Sequence, residues 1–226
     1  MYRYETHMHT MPVSGCAKAD ARENVLFYKE AGYDGIFITN HFPDGNINNK
    51  NERPYSERMK YYFSDYDEAR ALGEKVGLKV FLGIETSNGG TDFLIYGLDK
   101  EWYLSHPEID HMVMSQKLLH FRENGAFIVQ AHPFREAGYI DHIRLYPRHI
   151  DGVEVINACR SDFENEMAGL YAQKYGLYRL AGSDNHVAGR QPLLAGIECE
   201  TPFTSEQDYI NAVKSGKAKI FTRKNI

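Results

Sequence analysis

The chain is poor in cysteine. Its three, Cys16, Cys159 and Cys199, are widely separated and form no C-x-x-C pair. An odd, scattered set gives no disulfide framework and fits a reducing cytoplasm. A surplus of positive charge is also missing. Lysine and arginine total 26 against 31 acids, for a net charge of −5. That balance leaves no electrostatic footprint for long nucleic acid, although a small phosphorylated substrate needs only a local positive site. No apolar run approaches the length that crosses a bilayer, so no membrane partner is expected. Met1-Tyr2-Arg3-Tyr4-Glu5 reaches a charged residue at once and has no apolar h-region, so no signal peptide is expected there and the cytoplasm is the expected location. Internal repeats, low-complexity tracts and Pro/Ser-rich linkers are absent. What remains is 226 residues with 42% hydrophobic and 25% charged content, enough for a buried core and the size of one large domain over 1–226.

Short β-like runs alternate with polar, helix-like stretches. Strands are expected at Arg3–His7, Gly35–Thr39, Lys79–Ile84, Phe93–Gly97, Ala126–Gln130, Gly152–Ile156 and Tyr178–Ala181. Helices are expected at Asp20–Ala31, Ser64–Val76, Pro107–Asn124, Asp162–Tyr175 and Ser205–Ser215. Asp20 is placed to cap the first helix, and Gly32, Gly125 and Gly176 follow last turns. Ser205 stands three residues before Asp208, close to a capping box with Asp where Glu or Gln is preferred. Such alternation implies parallel βαβ units and favours a closed or nearly closed (β/α) barrel over an open sheet. Asp44–Arg58 reads as a loop that walls the region after His41.

Potential metal donors stand at the ends of these runs. His7 and His9 lie two apart, on one face of a strand. His41 follows Gly35–Ile38. Glu85 follows a buried run, where an acid is expensive unless paired or metal-bound. His132 precedes Pro133, which predicts an extended conformation for the histidine. Asp184 and His186 repeat the spacing of two, within a Gly-Ser-Asp-Asn turn composition. In parallel α/β folds ligands collect at the C-terminal strand edge. Imidazole with carboxylate suits zinc, manganese or iron.

H-M-H-T at 7–10, T-N-H at 39–41, G-I-E at 83–85, A-H-P at 131–133 and G-S-D-N-H at 182–186 together resemble the PHP (polymerase and histidinol phosphatase) superfamily. The resemblance runs from His7 to about Phe221. It implies a distorted seven-stranded (β/α) barrel carrying two or three divalent ions. His7, His9, Glu85 and Asp184 would surround a first ion; Glu85 would bridge to a second, shared with His132; His41 and His186 would serve a third. Two departures stand out. Met11–Cys16 offers no strong donor where the family often carries an acid or histidine. Leu94 stands where relatives often place a histidine, with His106 or His111 as replacement candidates. His120, His142 and His149 read as surface or capping residues.

The chemistry expected is hydrolysis of a small phosphate ester, such as histidinol phosphate or a nucleotide, by a metal-bridging hydroxide. His186 or His132 would protonate the leaving oxygen, beside Asp184. Arg135, Arg160 and Arg190 are candidate phosphate clamps. Asn157 is placed to touch substrate or to support a ligand. Two other outcomes fit the same donors: amidohydrolase-like cleavage of a non-phosphate substrate, and a metal-binding module without catalysis.

Overall fold

The computed structural model describes residues 1–48 and 53–225. Its strands are β1 (Tyr2–Glu5), β2 (Gly35–Ile38), β3 (Lys79–Asn88), β4 (Thr91–Tyr96), β5 (Phe127–Ala131), β6 (Gly152–Asn157), β7 (Tyr178–Gly182), β8 (Leu193–Cys199) and β9 (Lys219–Lys224). Its helices are α1 (Ala21–Glu30), α2 (Tyr55–Tyr62), α3 (Ser64–Val76), α4 (Lys100–Ser105), α5 (Met114–Glu123), α6 (Asp162–Tyr175) and α7 (Glu206–Lys214). No helix among the described residues is long and apolar enough to cross a membrane.

Local chemistry sets the helix ends. The Asp20 side chain accepts from the Glu23 N–H at the start of α1, and Ser161 and Ser205 form capping boxes with Glu164 and Asp208. The single helix expected over Pro107–Asn124 is broken. A 3₁₀ turn spans Pro107–His111, and extended Met112 and Val113 separate it from α5. The expected loop Asp44–Arg58 ends early, because α2 begins at Tyr55, and positions 49–52 of that loop lie outside the described residues.

The sheet runs in the order β7-β6-β5-β4-β3-β2-β1-β8-β9. β8 and β9 add to the seven expected strands, and β8 pairs antiparallel with β1. β4 is antiparallel to both β3 and β5. Gly89 and Gly90 make the β3–β4 turn, both at positive φ, which a two-residue type I′ hairpin requires. The all-parallel βαβ expectation therefore fails at β4, where a hairpin replaces a helical crossover.

β1 and β7 meet past their ends and nearly close the barrel. Met8 bridges Asn185, the His9 N–H donates to Asn185 O at 2.9 Å, and the Thr6 hydroxyl donates to Ala181 O at 2.5 Å. Gly182 makes this approach possible, because a Cβ there would lie 2.5 Å from His7 Cβ and 2.7 Å from Glu154 Oε1. Alternate strand residues fill two apolar layers. Tyr4, Phe37, Phe81, Tyr96 and Phe127 share a cluster with Tyr209 and Ile210 of α7. Ile36, Ile38, Ile84 and Ile128 instead pack among the helices, with Val25, Tyr66 and Leu118. Each such fully buried large side chain contributes about 1.5–3 kcal/mol.

Candidate metal centre

The strand ends converge. Backbone bonds continue the β2–β3 ladder past β2, from Glu85 N–H to Asn40 O at 3.0 Å and from Phe42 N–H to Glu85 O at 2.7 Å, which sets His41 beside Glu85. The Glu85 carboxylate stands at the centre, 1% exposed. Its Oε1 lies 3.2 Å from His7 Nε2 and 3.4 Å from His132 Nε2. Its Oε2 lies 2.7 Å from His41 Nδ1 and 3.5 Å from His9 Nε2. Asp184 Oδ1 lies 3.3 Å from His9 Nε2, 3.5 Å from His7 Nε2 and 3.5 Å from His186 Nδ1. All the metal donors read from sequence thus come together.

Three donor groups result: His7, His9 and Asp184; His7, Glu85 and His132; and His9, His41 and His186. Both Glu85 oxygens, though buried, lack a hydrogen bond, because the surrounding imidazoles meet them at poor angles. A buried carboxylate left so is costly unless a cation faces it. The donor set and this orphaned carboxylate fit divalent ions.

Two of these residues carry strained backbone. His132 has φ 26° and Asp184 φ 53°. The extended conformation expected of His132 ahead of Pro133 is not found; a turn closes there instead, with the Arg135 N–H bonded to His132 O at 2.9 Å. Such conformations persist only where the surroundings over-determine them.

Residues that the sequence reading passed over complete the site. Glu154, 1% exposed, lies in the middle of β6. Its Oε1 is 2.8 Å from His7 Nδ1, and its Oε2 accepts from the His132 N–H at 3.1 Å and from Asn157 Nδ2 at 2.8 Å. An acid inside an apolar run was the available signal, the same one that marks Glu85. Asp92 of β4 lies 3.8 Å from His132 Nε2. It supplies the acid from that strand, whereas Leu94 packs in the core. Cys16, in the Met11–Cys16 stretch read as offering no strong donor, also reaches the centre, with its Sγ 3.1 Å from His41 Nε2 and 3.0 Å from His186 Nε2. A donor in a loop, outside any strand period, gave no sequence signal.

His106 and His111 do not replace the missing family histidine. His106 stacks on Trp102 at 4.1 Å and groups with Glu108 and His120, and His111 is exposed. Neither lines the cavity at the centre.

Burial and charge oppose each other at the donors. Burial disfavours the charged form of His7, but Glu154, Asp184 and Glu85 outweigh it and hold its pKa well above the usual imidazole range. Burial likewise opposes charge on His41, yet Glu85 lifts its pKa to about 10. Burial, with His41 and His186 nearby, pushes His9 well below that range. Burial would raise Glu85, but His41 and His7 keep it well below the usual carboxylate range.

A cavity of about 480 Å³ opens over the centre, lined among others by Cys16, Asp44, Asp92, Arg135, Tyr139 and Arg160. Arg160 Nε is buried without a hydrogen-bond partner. Arg135 is tied to Asp92 at 3.3 Å and to the Tyr139 hydroxyl. Arg190 does not line this cavity; its guanidinium donates to Lys18 O and Val187 O. Asn157 is fully buried and donates to Glu154 and to Asp184, at 3.3 Å for the latter, so it braces ligand candidates and does not face the cavity.

No family profile matches the sequence, and no curated protein matches it. Solved structures do. A two-domain protein of Bacteroides vulgatus that contains a predicted PHP-like metal-dependent phosphoesterase superposes with a TM-score of 0.73 at 17% identity, over 97% of this chain and 64% of its own. The chain thus spans about two thirds of that protein. PsfC of Pseudomonas syringae gives 0.67 at 17% identity, over 98% of this chain and 92% of its own. A Bifidobacterium adolescentis protein, proposed to be a metal-dependent phosphoesterase, gives 0.57 at 14% identity, over 94% of this chain and 95% of its own. The chain has the PHP-like fold, as its strand-end motifs lead one to expect.

Proposed function

We propose that this protein is a metal-dependent phosphoesterase acting on a small phosphate ester. The observation that carries the reading is Glu85. It is a buried carboxylate, without hydrogen bonds, inside a ring of His7, His9, His41, His132 and Asp184 at one barrel rim. The phosphoesterase descriptions of two similarly folded proteins support it.

His7, His9 and Asp184 would hold one ion, and Glu85 with His132 another, with Asp92 close by. Bound divalent ions would supply an acidified water and positive charge facing the phosphoryl oxygens. Arg160 adds a planar fork at the cavity wall, its Nε without a protein partner. Arg135, on the same cavity wall, is held by Asp92 and contributes fixed positive charge. His132 Nε2 faces Glu85, and His186 Nε2 faces Cys16. With both imidazoles so engaged, proton delivery to the leaving alcohol falls to water in the cavity.

A phosphatase panel with added manganese, with and without chelator, tests this reading. Chelator-sensitive release of phosphate, abolished in Asp184→Ala, is the expected result. Turnover of lactones or carboxyl esters alone would assign amidohydrolase-like chemistry instead. Metal-dependent melting without turnover on any substrate would leave a binding module.

A further inference from the structure

We propose that Cys16 joins His41 and His186 as a thiolate donor to one ion of this centre, a Cys-His-His set that selects a soft divalent ion of the zinc class. The proposal rests on the metal-centre reading above and adds to it a donor and a metal preference.

The convergence of three donor atoms carries the argument. His186 Nδ1 lies 2.7 Å from the Asp184 carbonyl oxygen, which can only accept. That contact places the ring proton on Nδ1 and leaves a lone pair on Nε2. His41 Nδ1 lies 2.7 Å from Glu85 Oε2 without a hydrogen bond between them, and its Nε2 is the nitrogen turned toward Cys16. Both Nε2 atoms point at Cys16 Sγ, at 3.0 and 3.1 Å. One sulfur and two imidazole nitrogens within about 3 Å of it form the convergent S, N, N set by which a zinc-class ion is held. A cation between them satisfies both nitrogens and the sulfur together. The unpartnered oxygens of Glu85, in contact with His41, point independently to positive charge at this spot.

The backbone holds the sulfur there. The Gly15 N–H donates to Asn46 O at 2.8 Å, and the Lys18 N–H donates to His186 O at 2.7 Å. The loop bearing Cys16 is thus strapped to both histidine-bearing segments. Zinc takes sulfur at about 2.3 Å and nitrogen at about 2.0–2.1 Å, so the donors need to part by only about half an ångström. Cys16, His41 and His186 all line the cavity, so the three donors stand at the face where substrate would enter. Thiolate with imidazole favours zinc or iron(II) over magnesium or manganese.

Cobalt(II) substitution tests the proposal. Metal-free protein loaded with Co²⁺ should show a near-ultraviolet sulfur-to-cobalt charge-transfer band. Cys16→Ser should lose that band and bind one ion at least about tenfold more weakly, while Cys159→Ser keeps both. Cobalt bound without the band, or a band that survives Cys16→Ser, would overturn the thiolate assignment and leave the metal centre standing. Failure to bind any cobalt, by elemental analysis, would overturn the metal centre itself. Should Cys16→Ser not fold, alkylation of the unaltered protein decides. Zn²⁺ should slow iodoacetamide labelling of Cys16 by at least about tenfold, and an unchanged rate would reject the assignment.

Discussion

His7 Nδ1 lies 2.8 Å from Glu154 Oε1, and both side chains are fully shielded from solvent. This contact fixes which nitrogen of His7 faces the centre. The carboxylate holds the Nδ1 proton, so Nε2 is presented to Glu85 and Asp184. Partners of this kind orient a ligand and raise its basicity, and losing one costs 10–100-fold in metal affinity. Glu154→Gln is therefore expected to weaken metal binding by about that factor in chelator-competition titrations. An unchanged affinity would show that His7 needs no such brace.

Gly182 should tolerate no side chain. The methyl of Gly182→Ala would press on His7 and on Glu154. Overpacking of this kind costs about 1–3 kcal/mol, which urea denaturation would read, and metal affinity should fall with it. A variant of full stability would mean that β7 and β1 have room to part.

Arg160 and Arg190 should behave differently. Arg160→Ala removes a guanidinium at the cavity wall and should raise KM for a phosphate ester about 10–100-fold, the worth of one charge-assisted hydrogen bond. Arg190→Ala should leave KM unchanged, since that side chain is bound to Lys18 O and Val187 O away from the cavity. Equal effects in steady-state kinetics would contradict the assignment.

Asp65 couples the loop after β1 to pH. It is 2% exposed and accepts from the Val13 N–H at 3.1 Å and the Thr10 hydroxyl at 2.9 Å. Burial raises its pKa from 3.8 to about 6, against those two bonds. The unfolded chain releases this proton first, so stability from this group is lost as pH rises from 3.8 to about 6. Asp65→Asn keeps the acceptor and removes the charge. It should be more stable than the unaltered protein above that window, by up to about 3 kcal/mol, and equally stable below it. A difference independent of pH in thermal melts would reject this account.

The donors at strand ends were legible because an apolar run delivers its next residue to the C-terminal edge, and His7, His9, His41, Glu85, His132, Asp184 and His186 all follow such runs. Helix ends were legible where a cap residue marks them, as at Asp20 and Ser205. Pairing direction was not. β4 reads as one more strand, and only Gly89-Gly90 betrays the hairpin that turns it antiparallel. β8 joins the sheet by pairing with β1, nearly two hundred residues away, and β9 by pairing with β8, which periodicity does not reveal. Glu154 is not the residue that ends its apolar run, Asp92 opens its run instead of ending it, and Cys16 sits in a loop, so the search for donors just past such runs did not reach them.

Anomalous scattering from crystals grown with zinc or manganese tests the central claim most directly. The account predicts at least two ions within about 4 Å of each other, between Glu85 and Asp184. Crystals with ions only at His106, Glu108 and His120, or with none near Glu85, would contradict it.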